Sequence, residues 1–152
     1  MVNYRKASAE DVDSLYAFIN GYAKQGIMLP RSKEMLTRDI EHFTVAEIDG
    51  EMIGCGSLCR LGEDLVEIRS LGVSDAHQGK GIGRRLVEML TEEARQLNIP
   101  KIMALTYEAG FFVKLGFEIV PKEIFPEKVW RDCIYCPKQN CCDEIAVLKR
   151  LD

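Results

Sequence analysis

A mixed α/β sheet with helices on its faces is the fold that this sequence predicts. Short apolar runs of strand length alternate along the chain with segments whose apolar residues recur at helical spacing. A glycine-rich loop at residues 78–83 joins a buried strand to a long helix. The length of 152 residues suits one core, so we expect one domain over residues 1–152.

The elements are expected in the order strand, two helices, three strands, helix, strand, helix and two strands. The expected strands are residues 3–7, 44–48, 51–61, 65–73, 101–106, 117–120 and 145–151. Asp49 and Gly50 form the turn between the second and third strands, because a tight hairpin needs residues that accept positive backbone angles. A loop of about two dozen residues precedes the last strand, and loops of that length usually serve a function.

Each of the four expected helices has a boundary signal. Ser8, with Asp11 three residues on, forms a capping-box pattern for the first helix, which should stop near Gly26. Ser32 caps the second, and the glycine-rich loop opens the third. The fourth covers residues 111–115, and the glycine that follows ends it. The apolar sides of the first three helices are Val12, Leu15, Ile19 and Tyr22; Met35, Leu36, Ile40 and Phe43; and Leu86, Val87, Leu90, Ala94 and Leu97.

Composition excludes several classes of protein. The 20 basic and 24 acidic residues give a net charge of −4, which argues against nucleic acid as the main partner, since binding phosphates needs a basic surface. No apolar stretch is long enough to span a bilayer, and the N-terminus lacks the apolar core of a secretion signal. We therefore expect a cytoplasmic protein with no membrane partner.

Four of the six cysteines cluster late in the chain, at Cys133, Cys136, Cys141 and Cys142. In a cytoplasmic chain they are not a disulfide framework. Their number allows a tetrahedral zinc, but the spacing is not that of a common zinc ribbon. Structural zinc, a reversible disulfide and reduced packing cysteines remain open, and we expect no metal in catalysis.

The glycine-rich loop has the composition of an anion site. A helix N-terminus presents unpaired N–H groups and partial positive charge, and glycines let the backbone approach a ligand closely. Acidic residues usually favour a helix start, whereas here Lys80, Arg84 and Arg85 surround it. That reversal predicts a bound anion, most simply a pyrophosphate, although a glycine-rich turn with solvated basic residues is the plain alternative.

Two motifs resemble the GNAT N-acetyltransferase family. Its acyl-CoA loop, Arg/Gln-x-x-Gly-x-Gly/Ala, matches Gln78, Gly81 and Gly83, and its block near Phe-Tyr-x-Lys-x-Gly-Phe matches residues 111–117. The resemblance implies a mostly antiparallel sheet with a splayed central strand pair, helices on both faces, acetyl-CoA as co-substrate and often a homodimer. It also implies that the backbone of Leu71 and Val73 pairs with the pantetheine arm. The pyrophosphate would lie against Gln78, Gly79, Lys80, Gly81, Ile82, Gly83 and Arg84.

Three segments are similar to one branch of that family, the acetyltransferase domains of N-acetylglutamate synthases. They are Leu-Pro-Arg-Ser at residues 29–32, Val-Glu-Ile-Arg-Ser-Leu at residues 66–71, and Leu-Thr at residues 105–106. This resemblance implies that Glu67 is the general base and that Thr106 protonates the departing thiolate. Phe112 replaces the tyrosine that serves as acid in many relatives, so the acid must come from elsewhere. Tyr107 is the rival of Thr106, because it is the next residue and is more acidic.

The same resemblance implies that Arg31 binds the substrate carboxylate, for which its planar fork is well suited, and that Lys138 supplies a second basic group. Each role has a plain alternative. Glu67 can be an exposed glutamate at a strand edge, Thr106 an ordinary strand residue, and Arg31 a solvated arginine near a helix start.

The expected function is direct transfer of an acetyl group from acetyl-CoA to the α-amine of an amino acid, L-glutamate first, as a step towards arginine. Two alternatives remain. The acceptor can be another small amine or a protein N-terminus, or the chain can be a non-catalytic acyl-CoA sensor, which would need no base. The presence of Glu67 favours catalysis.

Overall fold

Strands and helices follow each other along the chain in the predicted order. The computed structural model describes residues 1–25, 28, 30–121, 124 and 144–151. The strands are β1 (Asn3–Lys6), β2 (Phe43–Ile48), β3 (Glu51–Arg60), β4 (Leu65–Val73), β5 (Lys101–Thr106), β6 (Glu118–Val120) and β7 (Ile145–Arg150). The helices are α1 (Val12–Ala23), α2 (Lys33–Asp39), α3 (Ile82–Gln96) and α4 (Ala109–Lys114).

Within the described residues the strands form a seven-stranded sheet in the order β1-β2-β3-β4-β5-β7-β6. Pairing is antiparallel for β1 with β2, β2 with β3, β5 with β7 and β6 with β7. Strands β4 and β5 pair in parallel, in a register that runs from Leu65 opposite Lys101 to Glu67 opposite Met103. The α3 crossover allows this parallel pair, since parallel neighbours need a long connection. The predicted mixed, mostly antiparallel α/β fold is confirmed.

Two compact units make up the chain. The first comprises Met1–Leu58 with Ile68–Thr91, and the second comprises Cys59–Glu67 with Glu92–Asp152. One core cluster of the first unit includes the α1 residues Leu15 and Ile19, and another joins Ile53 of β3 to Leu86 of α3. A core cluster of the second unit comprises Leu61, Leu65, Met103, Ala146 and Leu148. A single domain over residues 1–152 stays a prediction.

Three residues predicted on apolar helix sides lie outside those helices, and the first of them, Ile40, begins the 3₁₀ turn that follows α2. Phe43 was expected on α2, but α2 ends at Asp39, a short 3₁₀ turn follows, and Phe43 begins β2 with only 2% of its surface exposed. Leu97 was expected on the buried side of α3. Since α3 ends at Gln96 and Asn98 adopts a left-handed conformation with φ 59°, Leu97 falls in the terminal turn and is 53% exposed.

An ion network ties the start of the chain to β2. Arg5 donates to both carboxylate oxygens of Asp11 at 2.8 Å and to Glu47 at 3.2 Å. The Ser8 N–H also donates to Asp11 at 2.7 Å, as the capping-box pattern predicts. The Arg5 guanidinium holds the pKa of Asp11 below its ordinary value of 3.8, and the same partner lowers the pKa of Glu47.

Replacing Arg5 with methionine should lower the free energy of unfolding at pH 7 by about 1 kcal/mol, a value reduced for solvent screening. Because pairing lowers the folded-state pKa of Asp11, its stabilising effect is full above the unfolded-state pKa. It is lost as pH falls through the lower folded-state pKa. The difference between parent and Arg5→Met in urea unfolding should therefore shrink on going from pH 7 to pH 3.

The matched control is Arg95→Met, which removes an exposed pair with Glu92 and should change stability little at either pH. A parent-to-mutant difference that stays the same at pH 7 and pH 3 would show that the Arg5–Asp11 pair does not carry the pH dependence.

Candidate functional site

The loop before α3, in the first unit, has the geometry of an anion cradle. Gly79 and Gly81 have φ of 79° and 80°, and a Cβ built on either residue would meet no atom within 4 Å. The Arg85 N–H donates to the Gly81 carbonyl at 3.0 Å, so the helix begins there. Helix geometry leaves the N–H groups of Ile82, Gly83 and Arg84 without intrahelical partners, facing an open approach on the glycine side. This arrangement fits the pyrophosphate of a CoA thioester.

The basic residues around the loop are solvent-exposed. Lys80 and Arg84 both lie at the surface, and Arg84 pairs with Glu88 one turn along α3 at 3.3 Å. The Arg85 guanidinium lies 6.0 Å from the ring centre of Tyr4. Exposed charges of this kind contribute mainly to the local positive field that attracts an anion.

The end of β4 is fixed by side chains from α1 and from the loop. The Val73 carbonyl accepts a hydrogen bond from the Tyr22 hydroxyl at 2.6 Å and another from the Gln78 amide at 3.2 Å. These two bonds use both lone pairs of that oxygen. The Ser74 N–H donates to β3, so the Val73 N–H points to the other side of the strand. A cofactor arm that pairs with Val73 would therefore use its N–H group.

A bulge interrupts β4 just before this end. Ser70 has φ of 53°, which is unusual for a residue other than glycine. The Ser57 hydroxyl donates to the Arg69 carbonyl and the Cys55 thiol to the Ser70 carbonyl, both at 3.2 Å. Consecutive carbonyls of a regular strand point to opposite sides, whereas these two both point towards β3. The bulge therefore redirects the remaining residues of β4, among which Leu71 and Val73 are half-buried.

Replacing Gly81 with alanine should weaken binding of CoA by roughly tenfold, because the left-handed backbone costs an L-residue about 1–2 kcal/mol and the loop amides would turn away from the anion. Isothermal titration calorimetry measures the affinity. The matched control is Gly50→Ala in the β2–β3 turn, where φ is 81° and a Cβ also meets open space. Both variants should lose similar stability, so equal CoA affinities in the two would remove the loop from the binding site.

Arg31 lies between α1 and α2 in the first unit and is only 9% exposed. Its positive charge is one of the influences that lower the pKa of Asp39, after that carboxylate's hydrogen bond with Arg38. The burial is inconsistent with a solvated arginine at a helix start, and it places a planar cation where the dielectric is low.

Glu67 lies in the second unit at the end of the stretch over which β4 pairs with β5. It is 2% exposed, which excludes the alternative of an exposed glutamate at a strand edge. Side-chain alternation along β4 places it on the same face as Leu65, Met103 and Leu105. Burying a carboxylate in such an apolar cluster costs free energy that hydrogen-bonded or charged partners must offset.

Thr106 ends β5 in the same unit and is 9% exposed. Its hydroxyl oxygen accepts a 2.8 Å hydrogen bond from the Glu108 N–H at the start of α4. Because the oxygen accepts this bond, the hydroxyl proton points elsewhere and can be donated. Thr106 lies three residues beyond Met103, the partner of Glu67, or roughly 10 Å along the strand, and side-chain alternation places it on the opposite face.

The short helix α4 follows Thr106 and carries the second predicted motif. Phe112 is 3% exposed and makes edge-to-face contacts with Phe111 and Phe117, with ring centres 5.2 and 5.1 Å away. Lys149 donates to the Leu115 carbonyl at 2.9 Å at the end of this helix. The residue that replaces a tyrosine is thus an aromatic core residue. Tyr107 is 39% exposed, and it remains the rival of Thr106.

Lys138 and the cysteine cluster Cys133, Cys136, Cys141 and Cys142 lie outside the described residues. Within the described part of the chain, no group of three or more His, Cys, Asp or Glu side chains could hold a metal ion. Burial raises the pKa of the Cys55 thiol to about 12, so this residue is protonated at neutral pH and is not a nucleophile. Among residues 1–25, 28, 30–121, 124 and 144–151, no helix is long and apolar enough to cross a membrane.

Comparisons with known proteins agree with this geometry. Residues 9–117 match the Acetyltransferase (GNAT) family. The chain is 42% identical over 147 residues to an uncharacterized N-acetyltransferase of Chlorobaculum tepidum, covering 97% of this chain and 95% of that protein. It is 37% identical over 131 residues to the amino-acid acetyltransferase of Mycobacterium tuberculosis, covering 81% and 75%. It also matches the Neisseria meningitidis amino-acid acetyltransferase at 35% identity, but spans 30% of that protein's length.

Two solved structures are similar over nearly the whole chain. One is N-acetylglutamate synthase from Neisseria gonorrhoeae complexed with coenzyme A and N-acetyl-glutamate, with a TM-score of 0.88 and 30% identity, covering 100% of this chain and 35% of that one. The other is a Mycobacterium tuberculosis protein in complex with CoA and a second ligand, with a TM-score of 0.84 and 31% identity, covering 99% of each chain.

Proposed function

We propose that this chain, which belongs to the acetyltransferase (GNAT) family, acetylates the α-amine of L-glutamate. The chain is an acetyl-CoA-dependent amino-acid N-acetyltransferase, as its family, its amino-acid acetyltransferase relatives and the CoA-bound similar structures indicate. The choice of glutamate as acceptor is the proposal, together with the role of the reaction as a step towards arginine. A homodimer and a cytoplasmic location stay predictions.

Acetyl-CoA supplies the acetyl group as a thioester, and the chain supplies two proton movements. A protonated amine cannot attack, so Glu67 accepts a proton from the amine of the acceptor. Its burial beside Met103 keeps water from competing for the carboxylate. Thr106 donates its hydroxyl proton to the departing thiolate. The two groups serve different atoms, the amine of the acceptor and the sulfur of the departing thiolate.

The observation that carries the proposal of a free amino acid as acceptor is the burial of Arg31 to 9% exposure. In a low-dielectric site a guanidinium binds a carboxylate strongly, because the carboxylate accepts two parallel N–H bonds from it. Every free amino acid has such a carboxylate, whereas a polyamine has none and a protein N-terminus carries none nearby. The similar Neisseria gonorrhoeae structure, which holds N-acetyl-glutamate, favours glutamate among the amino acids.

The test is release of CoA thiol from acetyl-CoA with a panel of acceptors at equal concentration, with the acetylated product identified by mass spectrometry. Glutamate should give the highest kcat/KM, glutamine and aspartate lower values, and spermidine and peptides little activity. A higher kcat/KM with another acceptor would overturn the glutamate assignment. Acetyl-CoA binding without turnover on any acceptor would favour a non-catalytic sensor.

A further inference from the structure

The side-chain amide of Asn20, on α1, holds the backbone of Arg31 at both of its polar groups. The Arg31 N–H donates to Asn20 Oδ1 at 3.2 Å, and Asn20 Nδ2 donates to the Arg31 carbonyl at 2.9 Å. Both bonds are partly buried. One primary amide therefore pairs with one residue of the α1–α2 connection as a neighbouring strand would, and it fixes the position of that residue relative to α1.

A third hydrogen bond sets the orientation of this amide. Asn20 Nδ2 also donates to the Tyr16 carbonyl one helical turn earlier, at 2.9 Å. The amide nitrogen thus faces two carbonyls and the amide oxygen faces one N–H group. A flipped amide would place its oxygen against both carbonyls and lose all three bonds, so only one orientation is favourable.

Arg31 is also held from its other side. Ser32, the next residue, caps α2 by accepting the Met35 N–H at 3.1 Å on its hydroxyl. The Ser32 backbone carbonyl accepts a hydrogen bond from the Leu36 N–H at 3.0 Å. The backbone of Arg31 is therefore fixed between the body of α1 and the first turn of α2, and its long side chain starts from a defined point.

We infer that Asn20 is a positioning residue for the acceptor carboxylate and acts through Arg31. This inference rests on the proposed role of Arg31. A guanidinium binds a carboxylate through two parallel N–H bonds, a geometry that tolerates little displacement of the arginine backbone. The Asn20 side chain bonds to the backbone of Arg31 and Tyr16, so its loss should affect binding of the acceptor rather than the rate of transfer.

Replacing Asn20 with alanine should raise the KM for glutamate roughly tenfold, as expected when two partly buried hydrogen bonds that fix the arginine are lost. The kcat and the KM for acetyl-CoA should stay unchanged. The matched control is Gln25→Ala, which removes an exposed amide two residues beyond α1 whose 3.5 Å contact is with the Gly21 carbonyl. This control should leave every constant unchanged.

A double-mutant cycle with Arg31→Ala separates this inference from the proposed function. If Asn20 acts through Arg31, the double variant should have the same glutamate KM as Arg31→Ala alone. An unchanged KM in Asn20→Ala, with a raised KM in Arg31→Ala, would overturn the inference and leave the proposed function standing. An unchanged KM in Arg31→Ala would remove the carboxylate role and the inference with it.

Fully additive effects in the double variant would show that Asn20 acts independently of Arg31 and would also overturn the inference.

If thermal unfolding shows that Asn20→Ala does not fold, Asn20→Asp gives the same test, because aspartate keeps the shape of the side chain. Its second oxygen would face the carbonyls of Tyr16 and Arg31 and break the donor bonds. A raised glutamate KM in Asn20→Asp, absent in the Arg31→Ala background, supports the inference, and an unchanged KM overturns it.

Discussion

Replacing Glu67 with glutamine should lower turnover of glutamate at pH 7 by roughly 10²-fold or more, the usual size of a general-base effect. Glutamine keeps the shape and burial of the side chain in the cluster around Met103 but cannot accept the amine proton. The KM for acetyl-CoA should barely move, because the loop at residues 78–83 and the end of β4 are untouched. Steady-state kinetics with both substrates varied measures the effect.

The pH dependence of this variant provides a second test. Without a base, the rate follows the fraction of acceptor that carries a neutral amine, and this fraction grows as pH rises. Raising the pH should therefore recover part of the lost rate in Glu67→Gln. The matched control is Glu63→Gln, an exposed glutamate in the turn before β4, which should behave like the parent. A Glu67→Gln variant as active as the parent at pH 7 would exclude Glu67 as the base.

Local sequence patterns were sufficient to place the strands that carry Glu67 and Thr106, the two residues proposed to move protons. Glu67 interrupts an apolar strand, and Thr106 ends another just before a short aromatic helix, so their elements could be predicted from periodicity. The glycine positions before α3 were equally predictable, since glycine readily accepts the positive φ found at Gly79 and Gly81. The family resemblance supplied the roles of Glu67 as base and Thr106 as acid, and kinetics of the variants tests them.

Other parts of the site depend on contacts that no local pattern encodes. Ser70 adopts a positive φ although nothing in its sequence context marks a bulge, because the bulge depends on donors from β3. Tyr22 follows the helical spacing of an apolar face, yet its hydroxyl tip binds the Val73 carbonyl 51 residues away. Asn20 lies beside buried Ile19 and has no local signature, because its partner lies beyond the end of the helix. These are tertiary contacts, and periodicity carries no information about them.

Replacing Arg31 with alanine should raise the KM for glutamate about 30- to 1,000-fold, which corresponds to losing a buried, bidentate charge pair of roughly 2–4 kcal/mol. The affinity for acetyl-CoA should stay intact. Arg31→Lys should restore only part of the loss, because an ammonium group cannot form two parallel bonds in a plane. Steady-state kinetics with glutamate and glutamine as acceptors measures each effect.

The comparison between acceptors identifies which carboxylate Arg31 binds. If it binds the α-carboxylate, glutamate and glutamine should lose affinity alike, whereas binding to the side-chain carboxylate would leave glutamine nearly insensitive. The matched control is Arg38→Ala on α2, an arginine whose side chain is 68% exposed, which removes the same charge from the same region. Arg38→Ala should change the glutamate KM little, because exposed charges act weakly through water. Suppose that Arg31→Ala and Arg38→Ala changed the KM for every accepted amino acid by the same small factor. Arg31 would then act only through the local positive electrostatic field, as Arg38 does. The carboxylate role of Arg31 would be excluded, and the choice of glutamate would rest on the similar proteins alone.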